Sequence, residues 1–439
     1  MRRCRKTSSV TLAGGLLTAA ALAGGVLLPG REAAAENGRR PPDTAYWDAR
    51  AAAADAPVTL ARRLVLGSAA APKDGVRSLR AQPREVPLSD GHRLAPSGTP
   101  RVLRATTGGV PFAAVGVNWR RDPRIGEVSV AVRTRTRDVA KWTAWSTTEY
   151  HGAKNQSGRT GPGLLWTGDA DTLEIVLTSL SGPQPTDVTV DLIDPGTAAA
   201  DTAAALPAGG KPAFGATTLL AGLPTAGRQP TSYGNGVVRI FSRAAWGASP
   251  AYLRRSARYA PGVKAVVVHH TATTNNYEAR DVPRIIRSIY YYMSVTEEYG
   301  DIGYNVLVDK FGRIWEGRAG GVDRAVIGVH AGGFNTGTSG VALIGDHADR
   351  RVTEAAREAI ARYAAFKLGT NGVDPMSRQQ LTGGPSTRYR QRTTVRVPAI
   401  SPHQETSRTA CPGEKGLAIL PGVRARAKAL IARHDLGSA

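Results

Sequence analysis

Cysteines and acidic side chains are both scarce in this 439-residue sequence. Cysteine occurs only at Cys4 and Cys411, so the chain is not a small secreted domain held together by disulfides. Asp and Glu number 35 against 57 Lys and Arg, which gives a formal charge of +22. Such a chain is attracted to polyanions. No signature of a nucleic-acid-binding module accompanies this charge, so nucleic acid is not predicted as a partner.

The first 35 residues have the layout of a secretory signal peptide. Four basic residues within the first six positions precede an uncharged stretch at 7–30, and three alanines follow at 33–35. This order is typical of exported proteins, so we expect residues 1–35 to be removed and the mature protein to be secreted. An uncleaved N-terminal anchor is the alternative. After cleavage, Cys411 would be the only cysteine and would have no disulfide partner.

The rest of the chain is too long for one ordinary core and predicts two domains. Residues 36–100 are polar and rich in Pro and Ala, and we expect a weakly structured lead-in. Residues 101–194 contain short alternating apolar runs separated by turn residues, which predicts an all-β sandwich of jelly-roll type. Residues 195–236 are rich in Ala, Gly and Pro and predict a mobile linker. The second domain is expected at 237–439.

The second domain alternates predicted strands and helices. The apolar, β-branched run at 264–268 predicts a strand buried on both faces. Residues 281–299 predict a helix, and Thr353 is placed to cap another helix that ends near Gly369. This order predicts an α/β domain with a mixed central sheet and flanking helices.

Six of the eight histidines lie in the second domain together with Cys411. His269 stands where the predicted buried strand ends, and His403 shares a late loop with Cys411. Two imidazoles and one thiolate are a suitable set of three zinc ligands that leaves a fourth position open. The eight-residue separation of His403 and Cys411 is not diagnostic by itself. A cysteine nucleophile paired with a histidine is the other chemistry that these residues allow.

Seven ordered segments between 242 and about 433 resemble the family of peptidoglycan recognition proteins and type-2 N-acetylmuramoyl-L-alanine amidases. They are Ser-Arg-Ala-Ala-Trp-Gly-Ala (242–248), Val-His-His-Thr-Ala-Thr (268–273), Asp-Ile-Gly-Tyr-Asn-Val-Leu-Val-Asp (301–309), Gly-Arg-Ile-Trp-Glu-Gly-Arg (312–318), Gly-Val-His-Ala-Gly-Gly-Phe-Asn (328–335), Gly-Val-Ala-Leu-Ile-Gly (340–345) and Thr-Ala-Cys-Pro-Gly (409–413). The β-rich region resembles, on fewer residues, the jelly-roll domain that precedes amidase domains in some secreted wall enzymes.

The resemblance implies a zinc hydrolase of the bacterial cell wall. It implies that His269, His403 and Cys411 bind Zn²⁺, that Tyr304 is the catalytic tyrosine, and that Thr409 occupies a catalytic position where relatives carry Lys or Thr. The implied reaction is hydrolysis of the amide between the lactyl group of N-acetylmuramic acid and L-alanine in peptidoglycan. No carboxylate general base emerges from the sequence.

The resemblance also implies a substrate groove lined by Arg318, His330 and Asn335. A cationic, amide-rich groove suits a peptide that carries free carboxylates. The alternative function is a protein that binds peptidoglycan without hydrolysing it, although the presence of Cys411 and Tyr304 favours the enzyme. The late loop begins Pro-His-Gln-Glu, where relatives more often have Gly-His-Arg-Asp. This departure leaves the role of Glu405 open.

Overall fold

The computed structural model describes residues 60–66, 101–107, 109–138, 140–151, 159–198, 201 and 229–437. The predicted signal peptide lies outside these residues, as do most of the predicted lead-in and most of the predicted linker. Both folded domains belong to one compact unit, residues 45–439.

Among the described residues, seven strands form the first domain, and all of their pairings are antiparallel. They are β1 (Leu60–Leu66), β2 (Arg101–Thr107), β3 (Phe112–Arg120), β4 (Glu127–Thr136), β5 (Ser146–His151), β6 (Arg159–Ser179) and β7 (Val188–Asp194). Their order is β1-β7-β3-β6-β4-β5, and β2 also pairs with β6. The prediction of a β-rich domain is confirmed. Strand β1 comes from the predicted lead-in and pairs with β7, so this domain includes chain that precedes residue 101.

The long strand β6 connects the two halves of this domain. Up to Ala170 it pairs with β3, and beyond Ala170 it pairs with β4 and β2. Side chains of β3 and β7 pack against those of β4 and the second part of β6, and together they form one apolar core. The domain is therefore sandwich-like, but its halves are joined through β6 instead of being two separate sheets.

The second domain contains a mixed seven-stranded sheet and a separate hairpin. The strands are β8 (Thr231–Tyr233), β9 (Val238–Phe241), β10 (Ala265–His270), β11 (Val306–Val308), β12 (Ile314–Glu316), β13 (Thr338–Leu343), β14 (Arg378–Gly383), β15 (Thr393–Pro398) and β16 (Ile400–Pro402). The sheet has the order β16-β10-β13-β11-β12-β9-β8, and β14 pairs with β15. Strand β10 is parallel to both of its neighbours, whereas β11–β12 and β8–β9 are antiparallel. The mixed sheet is as predicted, although its first strand lies inside the predicted linker.

Helices cover both faces of this sheet. They are α1 (Val282–Tyr291), α2 (Glu354–Gly369), α3 (Glu414–Ala418) and α4 (Leu420–Arg433). Helices α2 and α4 pack on the face that carries Val306 and Val308, whereas α1 packs on the face that carries Leu307, as strand alternation requires. Thr353 caps α2 as predicted and accepts a hydrogen bond from the backbone N–H of Ala356. No helix in the described ranges is long and apolar enough to cross a membrane.

The two domains share a hydrophobic core. Ala114, Trp166 and Ile193 of the first domain pack in the same apolar cluster as the buried side chains of α1. The helix predicted for 281–299 ends as an α-helix at Tyr291 and continues as a π-helical turn, Tyr292–Thr296. The ring of Tyr292 lies so close to the backbone of β3 that a Cβ at Gly116 would stand 2.5 Å from it. The domains are thus docked directly on each other.

Candidate metal centre

Two parallel strands bring the candidate histidine ligands to one place. Strand β10 pairs with β16 so that Val268 stands opposite Pro402. His269 is the next residue of β10, and His403 begins the 3₁₀ turn that follows β16. Because parallel strands run in the same direction, their next residues emerge side by side. The two imidazole rings lie with their centroids 4.4 Å apart.

Cys411 completes a cluster of three potential ligands. Its Sγ lies 3.7 Å from Nδ1 of His269, and it accepts a hydrogen bond of 3.4 Å from the backbone N–H of His270. One ligand atom each from His269, His403 and Cys411 lie within 4.8 Å of one another. The fold therefore brings the three predicted ligands together from segments that are far apart in sequence.

The chemistry of this donor set fits Zn²⁺. Burial lowers the pKa of His403 to about 4 and also lowers the pKa of His269 well below its ordinary value. Both imidazoles are therefore neutral near pH 7 and have a lone pair to donate. Burial raises the pKa of the Cys411 thiol to about 12, so a cation is needed to stabilise its thiolate. Two neutral imidazoles and one thiolate are ligands that zinc prefers.

His330 lies against the candidate ligand His269. Its Nδ1 lies 3.0 Å from Nε2 of His269. When His330 accepts this hydrogen bond, His269 carries its proton on Nε2 and presents Nδ1 towards Cys411. The ring of His330 fits against strand β13 only because residue 340 is glycine, since a Cβ there would stand 2.5 Å from its Cγ. Sequence reasoning assigned His330 to the substrate groove and missed this contact.

The two predicted catalytic residues lie beside the cluster. The ring centroid of Tyr304 is 5.2 Å from that of His269. Burial, reinforced by Cys411, raises the pKa of Tyr304 above its ordinary value, so its hydroxyl stays protonated and can donate a hydrogen bond. Thr409 Oγ1 accepts a hydrogen bond of 3.1 Å from the backbone N–H of Cys411, which ties Thr409 to the ligand loop.

Arg318 and Asn335 make contacts within the domain. Arg318 is 8% exposed, and its Nη1 donates to the carbonyl oxygen of Ile302 at 2.9 Å. Asn335 Oδ1 accepts the backbone N–H groups of His330 and Ala331, both at 2.8 Å. Each side chain therefore stabilises a loop, and the substrate-binding role of both residues stays a prediction.

Comparison with known families gives a match for each of the two domains. Residues 258–414 match the family described as N-acetylmuramoyl-L-alanine amidase. This match, together with the similarity to peptidoglycan recognition proteins, confirms the resemblance that the motifs of the second domain indicated. Residues 71–208 match the family described as Rv3811 N-terminal galactose-binding domain-like, so the first domain is galactose-binding-like.

Individual relatives cover only part of this chain. Peptidoglycan-recognition protein SA of Drosophila melanogaster is 28% identical over 151 residues, which are 34% of this chain and 70% of the relative. Peptidoglycan recognition protein 3 of Homo sapiens is 32% identical over 120 residues, 27% of this chain and 33% of the relative. The solved structure of Drosophila PGRP-LB is 25% identical, with a TM-score of 0.32, and the match covers 41% of this chain and 91% of that one.

Proposed function

We propose that this protein is a zinc-dependent N-acetylmuramoyl-L-alanine amidase that cleaves the bond between the lactyl group of N-acetylmuramic acid and L-alanine in peptidoglycan. The observation that carries the proposal is the cluster of His269, His403 and Cys411. It lies inside the stretch that matches the amidase family. A galactose-binding-like domain in the same chain suits a protein that acts on a glycan-containing polymer.

The roles proposed for the residues follow from their contacts. His269, His403 and Cys411 would hold Zn²⁺, which supplies Lewis-acid activation of water and of the amide carbonyl when bound. Tyr304 would donate a hydrogen bond from its protonated hydroxyl to the oxyanion that develops on the carbonyl. Thr409 would assist from the ligand loop, and His330 would keep His269 in its metal-binding orientation.

The predicted signal peptide, residues 1–35, supports secretion and action at the cell wall. Residues 1–35 carry five positive charges and one negative charge, so the formal charge of +22 falls to +18 once they are removed. This charge would favour adhesion to anionic wall polymers, and the adhesion would weaken as salt increases. Arg318 and Asn335 are also proposed to take part in substrate binding, and they stabilise the loops that would carry those contacts.

The second candidate function is peptidoglycan binding without hydrolysis. Relatives of this chain are named as recognition proteins, and their names do not state an enzymatic activity. The complete set of three candidate ligands together with Tyr304 favours the enzyme over this alternative.

Mass spectrometry of the products of peptidoglycan digestion tests the proposal. The purified protein is incubated with peptidoglycan in three arms: untreated, with a zinc chelator, and with zinc restored after chelation. We expect free stem peptides that begin at L-alanine, lost on chelation and recovered with zinc. Intact muropeptides in every arm would contradict the enzyme and support the binding protein. Peptides cut within the stem, in amounts indifferent to the chelator, would instead make Cys411 a nucleophile.

A further inference from the structure

A basic cleft adjoins the loop that carries Cys411. Its volume is about 630 Å³, and it is lined by Arg388, Tyr389, Gln404, Ser407, Arg408 and Thr409. Two of these residues are arginines, and none is acidic. The cleft reaches Thr409, which bonds to the backbone of Cys411. A ligand in the cleft would therefore lie beside the candidate metal centre.

One wall of the cleft is the connection between β14 and β15, and it is firmly held. Ser386 Oγ accepts the backbone N–H groups of Arg388 and Tyr389 at 3.1 and 3.0 Å, which closes a tight turn. The ring of Tyr389 packs edge-on against buried Phe334, with centroids 5.8 Å apart. The backbone that carries Arg388 is thus fixed on the body of the domain.

The two walls are also bonded to each other. The backbone N–H of Arg408 donates to Thr387 Oγ1 at 2.7 Å. In the opposite direction, Nη1 of Arg388 donates to the carbonyl oxygen of Gln404, the residue that follows His403. These two links fix the guanidinium of Arg388 and the backbone of Arg408 relative to the turn that begins at His403.

The charge of this cleft is not balanced within the described part of the chain. Arg243, Arg287 and Arg313 each form an ion pair with an aspartate. Among the described residues, neither Arg388 nor Arg408 has a carboxylate within ion-pair distance, and both are exposed. Two exposed guanidinium groups on one cleft are suited to an anion with planar oxygen pairs, since each can donate two parallel hydrogen bonds.

We propose that Arg388 and Arg408 bind a carboxylate of the peptide that is attached through the scissile amide, and so determine which peptides the enzyme accepts. This inference rests on the proposed function, because the peptide begins at the bond to be cleaved. A phosphate of a wall polymer shares the same oxyanion chemistry. The continuity of the cleft with Thr409 favours the peptide, since the peptide must pass the metal centre.

The test uses the full chain and the substitution Arg408→Gln. This residue is chosen because, among the described residues, its guanidinium forms no hydrogen bond with the turn that begins at His403, whereas that of Arg388 does. Arg390→Gln is the matched control, an exposed arginine on the same connection that does not line the cleft. The substrates are one muropeptide with free peptide carboxylates and the same muropeptide with these groups converted to carboxamides.

We expect the wild-type protein to have a KM about tenfold lower for the carboxylate form, as a charged hydrogen bond would give. Arg408→Gln should lose this preference at unchanged zinc content, and Arg390→Gln should keep it. Hydrolysis by Arg408→Gln with the wild-type preference would overturn the inference. The inference would also be overturned if Arg408→Gln differed from the wild type only in being inhibited more weakly by poly(glycerol phosphate). That polymer represents the phosphate of a wall polymer, and the cleft would then bind it instead of the peptide.

Failure of the proposed function can be distinguished from failure of this inference. If the wild-type protein hydrolyses neither substrate, the amidase proposal fails. Calorimetric affinities for the same pair of muropeptides then decide the role of Arg408 alone. A tenfold preference that Arg408→Gln removes would support the carboxylate site, whereas equal affinities for both forms would refute it.

Discussion

The substitution Arg287→Met should destabilise the protein through the contact between its domains. Arg287 lies in α1, is 1% exposed, and donates five hydrogen bonds. Two of them reach both carboxylate oxygens of Asp201 at 2.9 Å. Others reach the carbonyl oxygens of Pro195 and Gly196, also at 2.9 Å. All four tie the chain that directly follows β7 to a helix of the second domain.

The expected loss is about 3 kcal/mol of unfolding free energy, the lower end of the cost of breaking a buried ion pair by removing one partner. The lower end applies because Asp201 retains 14% side-chain exposure and can regain some hydration. Methionine keeps the length of the apolar stem, so the change removes the hydrogen bonds and the charge with little loss of packing.

Urea denaturation of the full chain, followed by tryptophan fluorescence, measures this loss. The matched control is Arg280→Met, because Arg280 pairs with Glu278 at 3.0 Å on the surface, where both side chains are about two-thirds exposed. We expect the control to cost less than about 1 kcal/mol. If both variants lost the same free energy, or if Arg287→Met lost less than about 1 kcal/mol, the reasoning about the interface would be refuted.

Three further predictions concern the site and the core. Tyr304→Phe should retain zinc but lower kcat by about 10²–10³, and a kcat near the wild-type value would exclude an oxyanion role. His330→Phe removes the hydrogen-bond acceptor of His269 and should weaken zinc affinity by about 10–100-fold, as measured by competition with a chelating dye. Lys367 is buried, and burial lowers its pKa to about 8. Between about pH 8 and 10 the unfolded chain therefore binds more protons at this residue than the folded protein does, so the free energy of unfolding should rise with pH. This rise, by up to about 3 kcal/mol, should appear in the difference between wild-type and Lys367→Met unfolding free energies, and a flat difference would contradict it.

The sequence predicted elements whose signals are local. The apolar, β-branched run at 264–268 indicated β10 because a strand buried on both faces needs apolar side chains on both. Thr353 marked the start of α2 because its hydroxyl can satisfy a free N–H group. His269, His403 and Cys411 could be grouped as candidate ligands through residue type and family resemblance. Their proximity depends on the pairing of β10 with β16, which no local pattern encodes.

Elements that depend on distant partners could not be predicted. Strand β1 is stabilised by pairing with β7, far along the chain. The change from α-helix to π-helix at Tyr292 accompanies the packing of its ring on Gly116 of the other domain. Strands β14 and β15 carry several exposed polar side chains, so the apolar pattern of a buried strand is absent there. The cleft beside Arg388 was missed for this reason.

The shared core of the two domains has a geometric consequence. Tyr292 and Trp166 lie in one apolar cluster with residues of both domains. This shared packing holds the two domains in one relative orientation, whereas a flexible linker alone would let them rotate. If the first domain binds a glycan strand, that strand would be presented to the candidate metal centre at one distance and one angle. Cleavage would then depend on the spacing along the polymer between the bound glycan and the bond to be cleaved. It would not depend on the length of the chain segment that connects the two domains.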